Sequence, residues 1–263
     1  LGPKASPSHT AQRFDLEHLS DADADKLLRS LSVIAEDAPS RQVIAERLVD
    51  SLFRSLCVGD TEEPACALVR CFHTAAYAQM PLHSRDAADQ LLETENLAPS
   101  ALDQMRCLVL LATRGIRMVW NDVMTSVGHQ AIPLPSVETV RKAPMIARLF
   151  DQLGMPIELA VDPTASTAFI LEEAIEDFRV FHVEQAVGSP FIPAQSTFVE
   201  PFGIRSVLGI GGVLPDGELL AVVLFTRVAI SPDVARRFGA LAAAMRRPII
   251  ALPPENIFGG LIS

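Results

Sequence analysis

The sequence predicts an α+β fold, an antiparallel sheet with helices packed on it. Three observations lead there. Two apolar, β-capable runs, 203–214 and 219–226, are joined by Pro215-Asp216-Gly217-Glu218, whose Asp-Gly tip suits a tight hairpin. Amphipathic helical patterns flank the strand-rich part at both ends. The glycine cluster Gly209-Ile210-Gly211-Gly212 leads into that hairpin and not into a helix, so it lacks the strand–loop–helix order of a dinucleotide site. The small residues are read instead as letting a helix or a ligand approach the sheet closely.

The elements follow in order. Residues 1–13 are predicted to be a loose tail, and Gly2-Pro3 has the look of a protease-cleavage scar and is set aside. Ser20-Asp21-Ala22-Asp23 caps a helix carrying Leu27, Leu28, Leu31 and Ile34 on one stripe. After a break at 37–40, a second helix turns Val43, Ile44, Leu48, Leu52, Phe53 and Leu56 inward. Residues 14–57 are read as an N-terminal helical extension that pairs two protomers and carries signal, ahead of a main domain over 58–252 and a tail over 253–263. A strand at 65–72 is followed by an insertion over about 74–104, with a helix from Ser84 and a turn from Asn96 to Ser100. Cys66 and Cys71, five positions apart on that strand, are expected on opposite faces. A second strand runs from Met105 to Thr113 and ends by Gly115, an irregular stretch spans 120–130, and 132–135 is extended. Ser136 caps a helix that closes at Gly154, and Pro144 kinks or splits it. The acidic run Glu172-Glu173 with Glu176-Asp177 reads as a solvated helix face. Residues 178–183 alternate as a half-buried strand, 188–193 form a loop, and 196–202 a short helix. Ser231-Pro232-Asp233 caps a last helix, which Pro248 is expected to stop.

Composition sets limits on function. The chain has 263 residues, 49% of them hydrophobic, enough for a sizeable core in one enlarged domain. Its formal net charge of −10 argues against nucleic acid and anionic membranes, which both need a basic footprint. No apolar run reaches the length of a membrane span. The four cysteines form no C-x-x-C pair and read as buried free thiols of a reducing, cytoplasmic setting. His73, His129 and His182 are each read as structural histidines first, because no metal-ligand spacing accompanies them. No nucleophile elbow or Walker loop is present.

Several segments together resemble a known family. Pro201-Phe202-Gly203-Ile204-Arg205-Ser206-Val207-Leu208-Gly209, then Asp216-Gly217-Glu218-Leu219 and a closing helix, resemble the C-terminal half of a GAF domain. Residues 63–70, 128–136 and 181–195 resemble a GAF-like sensory region of bacterial signalling proteins, often placed ahead of PAS and histidine-kinase domains. The resemblance spans roughly residues 40–250. It implies a six-stranded antiparallel sheet with helices on one side, a small-molecule pocket on the other, and signalling through paired terminal helices. The Cys-His pair of bilin-binding members is interrupted by Phe72. The N-K-F-D-E signature of cyclic-nucleotide binders is missing, and the cysteines do not match the methionine-sulfoxide reductase branch. None of those ligands is carried over.

The expectation is a non-catalytic cytosolic sensory module and homodimer, with a small ligand between the sheet and segments 120–135 and 181–202. A histidine kinase or another signalling protein is the expected partner. No cofactor is assigned. The candidate ligand-binding residues are Trp120, Asn121, His129, Gln130, His182, Phe191, Gln195, Phe198, Arg205 and Ser206, which bring polar tips and aromatic faces over a sheet. Arg205 is alternatively a structural arginine paired with Glu200. Three rivals stay open on the residues alone: a thiol enzyme using Cys71 with His73 or His129, a haem or metal sensor using His129 or His182, and a dimerisation platform for a protein partner.

Overall fold

The computed structural model describes residues 12–92, 99–126, 128–162 and 178–259. The expected 172–177 helix face and residues 96–98 of the expected turn lie outside them, as do most of the first tail and the last residues of the second.

The chain opens with β1 (Phe14–Asp15), α1 (Asp21–Leu31), α2 (Arg41–Ser55), β2 (Leu56–Cys57), β3 (Cys66–Ala76), α3 (Leu82–Leu92), α4 (Pro99–Gln104) and β4 (Arg106–Gly115). It continues with β5 (Ala131–Pro133), α5 (Val137–Arg141), α6 (Pro144–Leu153), α7 (Ile157–Val161), β6 (Arg179–Val183), β7 (Ser206–Val213), β8 (Leu219–Thr226) and α8 (Pro232–Ile250). β1 and β2 make a small parallel pair. The main sheet has six strands in the order β5-β4-β3-β8-β7-β6, every neighbour antiparallel. This is the α+β sheet with flanking helices that the sequence predicts.

Serine side chains start four of the helices. Ser20, Ser40, Ser136 and Ser231 accept from the backbone N–H of Asp23, Val43, Thr139 and Val234, at 3.1–3.3 Å. Pro144 splits the 136–154 pattern into α5 and α6 by occupying the first turn of α6, and Gly154 ends it at φ 79°.

Alternation along the strands divides the core in two. On the first face, Val69, Cys71, Leu208, Ile210, Leu220, Val222 and Leu224 pack under α1, α2 and α8. On the second, Leu68, Phe72, Leu110, Val207, Ala221, Val223 and Phe225 pack under α5, α6, α7 and residues 186–204. Helices therefore cover both faces, not one. The apolar stripes of α1 and α2 lie in the same core as the sheet: Leu27, Leu31, Ile44, Leu48 and Leu52 are all buried there.

Four expectations are corrected. Cys66 and Cys71 both face the first core, because the β3–β8 register shifts between Cys66 and Leu68 and an extra residue restores the parity. β3 runs on to Ala76, so His73 is inside the strand and the insertion begins later than 74. The helix expected from Ser84 begins at Leu82, and Pro99 and Ser100 are helical. α8 passes through Pro248 and ends at Ile250, with Ile249 buried in the first core. That burial holds the last turn in place despite the backbone hydrogen bond a proline cannot make.

Candidate functional site

A largely irregular cover lies over one end of the second face. Among the described residues it is built from 116–126, 128–130 and 186–204, with a 3-10 turn at Met118–Trp120 and a π-turn at Gln195–Val199. Trp120 meets Phe202 edge-on at 4.6 Å and Phe198 at 5.8 Å, and Phe198 meets Phe225 of β8 at 5.0 Å, again edge-on. Arg117 lies 5.9 Å from the Trp120 ring and 5.8 Å from Phe202. The indole comes this close to the sheet because residue 115 is glycine. A Cβ there would stand 2.8 Å from Trp120 Cε3 and 2.9 Å from the Ala67 carbonyl oxygen.

Side-chain amides staple the cover. Asn121 Oδ1 accepts from Gly115 N at 2.8 Å, and Gln130 Nε2 donates to the carbonyls of Val123 (2.7 Å) and Met124 (3.1 Å). Thr113 Oγ1 donates to the Trp120 carbonyl at 2.9 Å. Gln195 accepts from Gly188 N at 2.8 Å and donates to Ala186 O (3.0 Å) and Ile192 O (2.7 Å). The cover nevertheless exposes Ile116, Met118, Val119 and Met124.

Beneath the cover, beside the aromatic group, lies Arg70. It shares the second face with Leu68 and Phe72, between Thr113 on β4 and Val223 on β8. It is 7% exposed. Nη2 donates to Ser126 Oγ at 2.8 Å, Nη1 to the Gly128 carbonyl at 3.3 Å, and Nε has no partner. Among the described residues no carboxylate pairs with it, and burial pushes its pKa down to about 10.

Of the ten residues picked from the sequence, Trp120 and Phe198 touch. Asn121 and Gln130 hold the cover around them. His129 is exposed beside Arg70 at φ 62°, and the surrounding loop together with that guanidinium holds its pKa below the ordinary value. Phe191 stacks on Arg148, 4.0 Å away, and Gln195 closes its own loop. His182 and Ser206 are on the first face. There His182 Nε2 meets the Ile230 carbonyl at 3.0 Å, while Ser206 Oγ donates to Glu184 O and accepts from Ile230 N. Arg205 is exposed, and no ion pair with Glu200 occurs among the described residues. Arg70, Ser126, Phe202 and Phe225 were missed. The available signal was an arginine at the centre of the apolar run Leu68-Val69-Arg70-Cys71-Phe72.

A second polar cluster ties the β7–β8 hairpin to the start of α2. Arg41 Nη2 pairs with Asp216 at 2.7 Å, and Arg41 Nη1 donates to His73 Nε2 at 3.0 Å. His73 Nδ1 donates to the Thr74 carbonyl, Thr74 Oγ1 to Glu218, and Arg106 pairs with Glu218 at 3.0 Å. Both ring nitrogens of His73 are therefore engaged. Burial, then the Arg41 charge, drives its pKa down to about 4. Burial also raises the pKa of all four thiols, which disfavours the thiolate a nucleophile needs. Among the described residues, no three His, Cys, Asp or Glu side chains come together as a metal site.

The glycines of β7 answer to neighbouring strands and not to a helix or a ligand. A Cβ on Gly211 would stand 2.0 Å from the Leu220 carbonyl oxygen, and one on Gly209 3.1 Å from Phe181 Cβ.

Two cavities of about 460 Å³ each open among the described residues. One is an apolar groove between α1, α2 and the end of α8. The other opens along the free edge of β4, between α2 and residues 121–124. No helix among the described residues is long and apolar enough to cross a membrane.

No protein-family model matches the chain, and no curated protein matches it. Among solved structures, the chain is similar to the free methionine-R-sulfoxide reductase of Neisseria meningitidis, crystallised with its substrate. The identity is 12%, the TM-score 0.45, and the match covers 92% of this chain and 96% of that one.

Proposed function

We propose that this chain is a sensory or regulatory module of GAF type, which takes a small ligand under the cover on the second face. The single observation behind the proposal is the aromatic group Trp120, Phe198, Phe202 and Phe225, closed by loops that a few amide staples hold. Apolar and aromatic faces beside a few aimed polar groups are the ordinary chemistry of a small-molecule site. Loops held by a handful of side-chain hydrogen bonds open at lower cost than packed helices do.

The change then passes through the sheet. β3 and β8 carry side chains to both cores, and the opposite core is closed by α1 and α8, which Arg237 and Asp21 tie together. These two helices are the output, read by a second copy of the chain or by a histidine kinase or similar signalling partner. The buried, unpaired thiols suit a cytoplasmic setting.

Native mass spectrometry of the purified protein tests the reading, together with Trp120 emission during titration with mixed small molecules. Trp120 is the one tryptophan of the sequence, so the emission reports the cover directly. The expected result is a co-purified or titrated ligand that shifts the emission and changes the dimer fraction. A protein whose emission no small molecule moves does not fit this function.

A further inference from the structure

Among the described residues, Arg70 is a buried cation without a counter-anion. A guanidinium out of water costs several kcal/mol unless charge and hydrogen bonds compensate it. Here the compensation is incomplete. Of five N–H donors, one meets a hydroxyl at 2.8 Å, one reaches a carbonyl at 3.3 Å, and the Nε–H is unsatisfied. The nearby acceptors, Ser126 and Gly128, are neutral, and His129 adds no negative charge. The other arginines buried to this degree are compensated: Arg41 by Asp216 and Arg106 by Glu218.

The position matters as much as the charge. Leu68 and Arg70 are successive residues of one face of β3. Leu68 pairs with Phe225, which carries the Phe198 ring, and Leu68 Cδ1 lies near Gly115 beside the indole. Thr113, opposite Arg70 on β4, holds the Trp120 carbonyl. One strand step thus separates a cationic end from an aromatic end under the same cover.

Resting on the ligand-binding reading above, we propose that Arg70 is the anchor of an oxyanion subsite, and that the ligand is a small molecule with a carboxylate or phosphate head and an apolar body. The head pairs with the Arg70 fork, drawing on Nε and on the terminal nitrogen bound weakly to Gly128. The body lies against Trp120 and Phe198. Ser126 keeps the guanidinium turned toward the head.

The test uses the intact chain and four probes: inorganic phosphate, phenyl phosphate, benzoate and neutral benzyl alcohol. Trp120 emission and melting temperature are read for the wild type, Arg70→Met, Arg70→Lys and Ser126→Ala. The wild type is expected to bind phenyl phosphate or benzoate more tightly than benzyl alcohol, and the preferred head identifies the oxyanion. Arg70→Met is expected to lose at least about tenfold in affinity for the charged probes. Its unliganded melting temperature should hold or rise, because an uncompensated buried charge is gone. A purely structural arginine would lower it. Arg70→Lys keeps the charge and loses the fork, so it should bind between the two. If Arg70→Met fails to fold, Ser126→Ala and the wild-type preference decide. Equal binding of benzyl alcohol and benzoate, unchanged in the variants, overturns the oxyanion subsite and leaves the ligand-binding function standing. A wild type indifferent to all four probes overturns both.

Discussion

His73 accepts a hydrogen bond from a guanidinium, and that fixes where its proton sits. Arg41 can only donate, so Nε2 must be the bare nitrogen, and Nδ1 carries the hydrogen given to Thr74. A second proton would point straight at the Arg41 charge. The folded pKa of about 4 lies below the unfolded value near 6.5, so between those limits the unfolded chain binds more protons. The His73 contribution is whole above about pH 6.5 and is lost as the pH falls toward 4. Glu218 acts with the opposite sign: burial raises its carboxyl pKa, so its contribution fades as pH rises through the folded value. His73→Gln leaves Glu218 in place and isolates the histidine. Urea unfolding from pH 7 to pH 4 should show the wild type losing stability more steeply than His73→Gln, by up to about one proton. Equal slopes would mean that the ring is charged in the fold. None of this was visible from the sequence, where His73 stood near a strand end and its nearest partner in sequence was Cys71. The arginine it meets is on another element, and only the packing of α2 on β3 brings the two together.

At the scale of the element, local chemistry made much of the fold legible. The Asp-Gly hairpin, the serine caps and the Pro144 split all act within a few residues, and each is found where the sequence puts it. What failed depended on distant partners. The face of Cys66 turned on a bulge set by pairing with β8, and the reach of α8 on a buried Ile249. The candidate site divided the same way. Trp120 and Phe198 were recognisable as aromatic faces in loops, whereas of the amides picked as ligand contacts Asn121 meets the end of β4 and Gln130 and Gln195 bind the backbone of their own loops. Pro248 offers a direct check. It leaves a gap in the hydrogen-bond ladder of α8 that tertiary packing covers, so Pro248→Ala should stabilise the protein by about 1–3 kcal/mol in chemical denaturation. A loss of stability would mean instead that the proline ring makes packing contacts that outweigh the missing bond.

For the whole molecule, the thiols report on how the first core opens, because Cys66, Cys71 and Cys107 all lie in it. Each is buried: Cys66, Cys71 and Cys107 in the main sheet, and Cys57 in the β1–β2 pair. A thiol reagent in excess should therefore label all four slowly in native buffer, at rates that rise with denaturant, and rapidly once the chain is unfolded. One cysteine reacting within seconds in native buffer would revive a thiol-enzyme function and count against a purely regulatory one.

The strand order also constrains how the molecule comes into being. β3, β4 and β5 form one half of the sheet and β6, β7 and β8 the other, and among the described residues the backbone ladder joins the two halves where β3 pairs with β8. That seam joins residues 66–73 to residues 220–226, and β8 comes last along the chain among the described strands. The nascent chain on the ribosome therefore holds β3 with an open edge and half of each core uncovered until residues 220–226 have emerged. Closing so long a loop makes folding slow, and the open edge invites pairing with other chains. Substitutions along the seam should show their first effect in the yield of soluble protein, before any effect on ligand or output is reached.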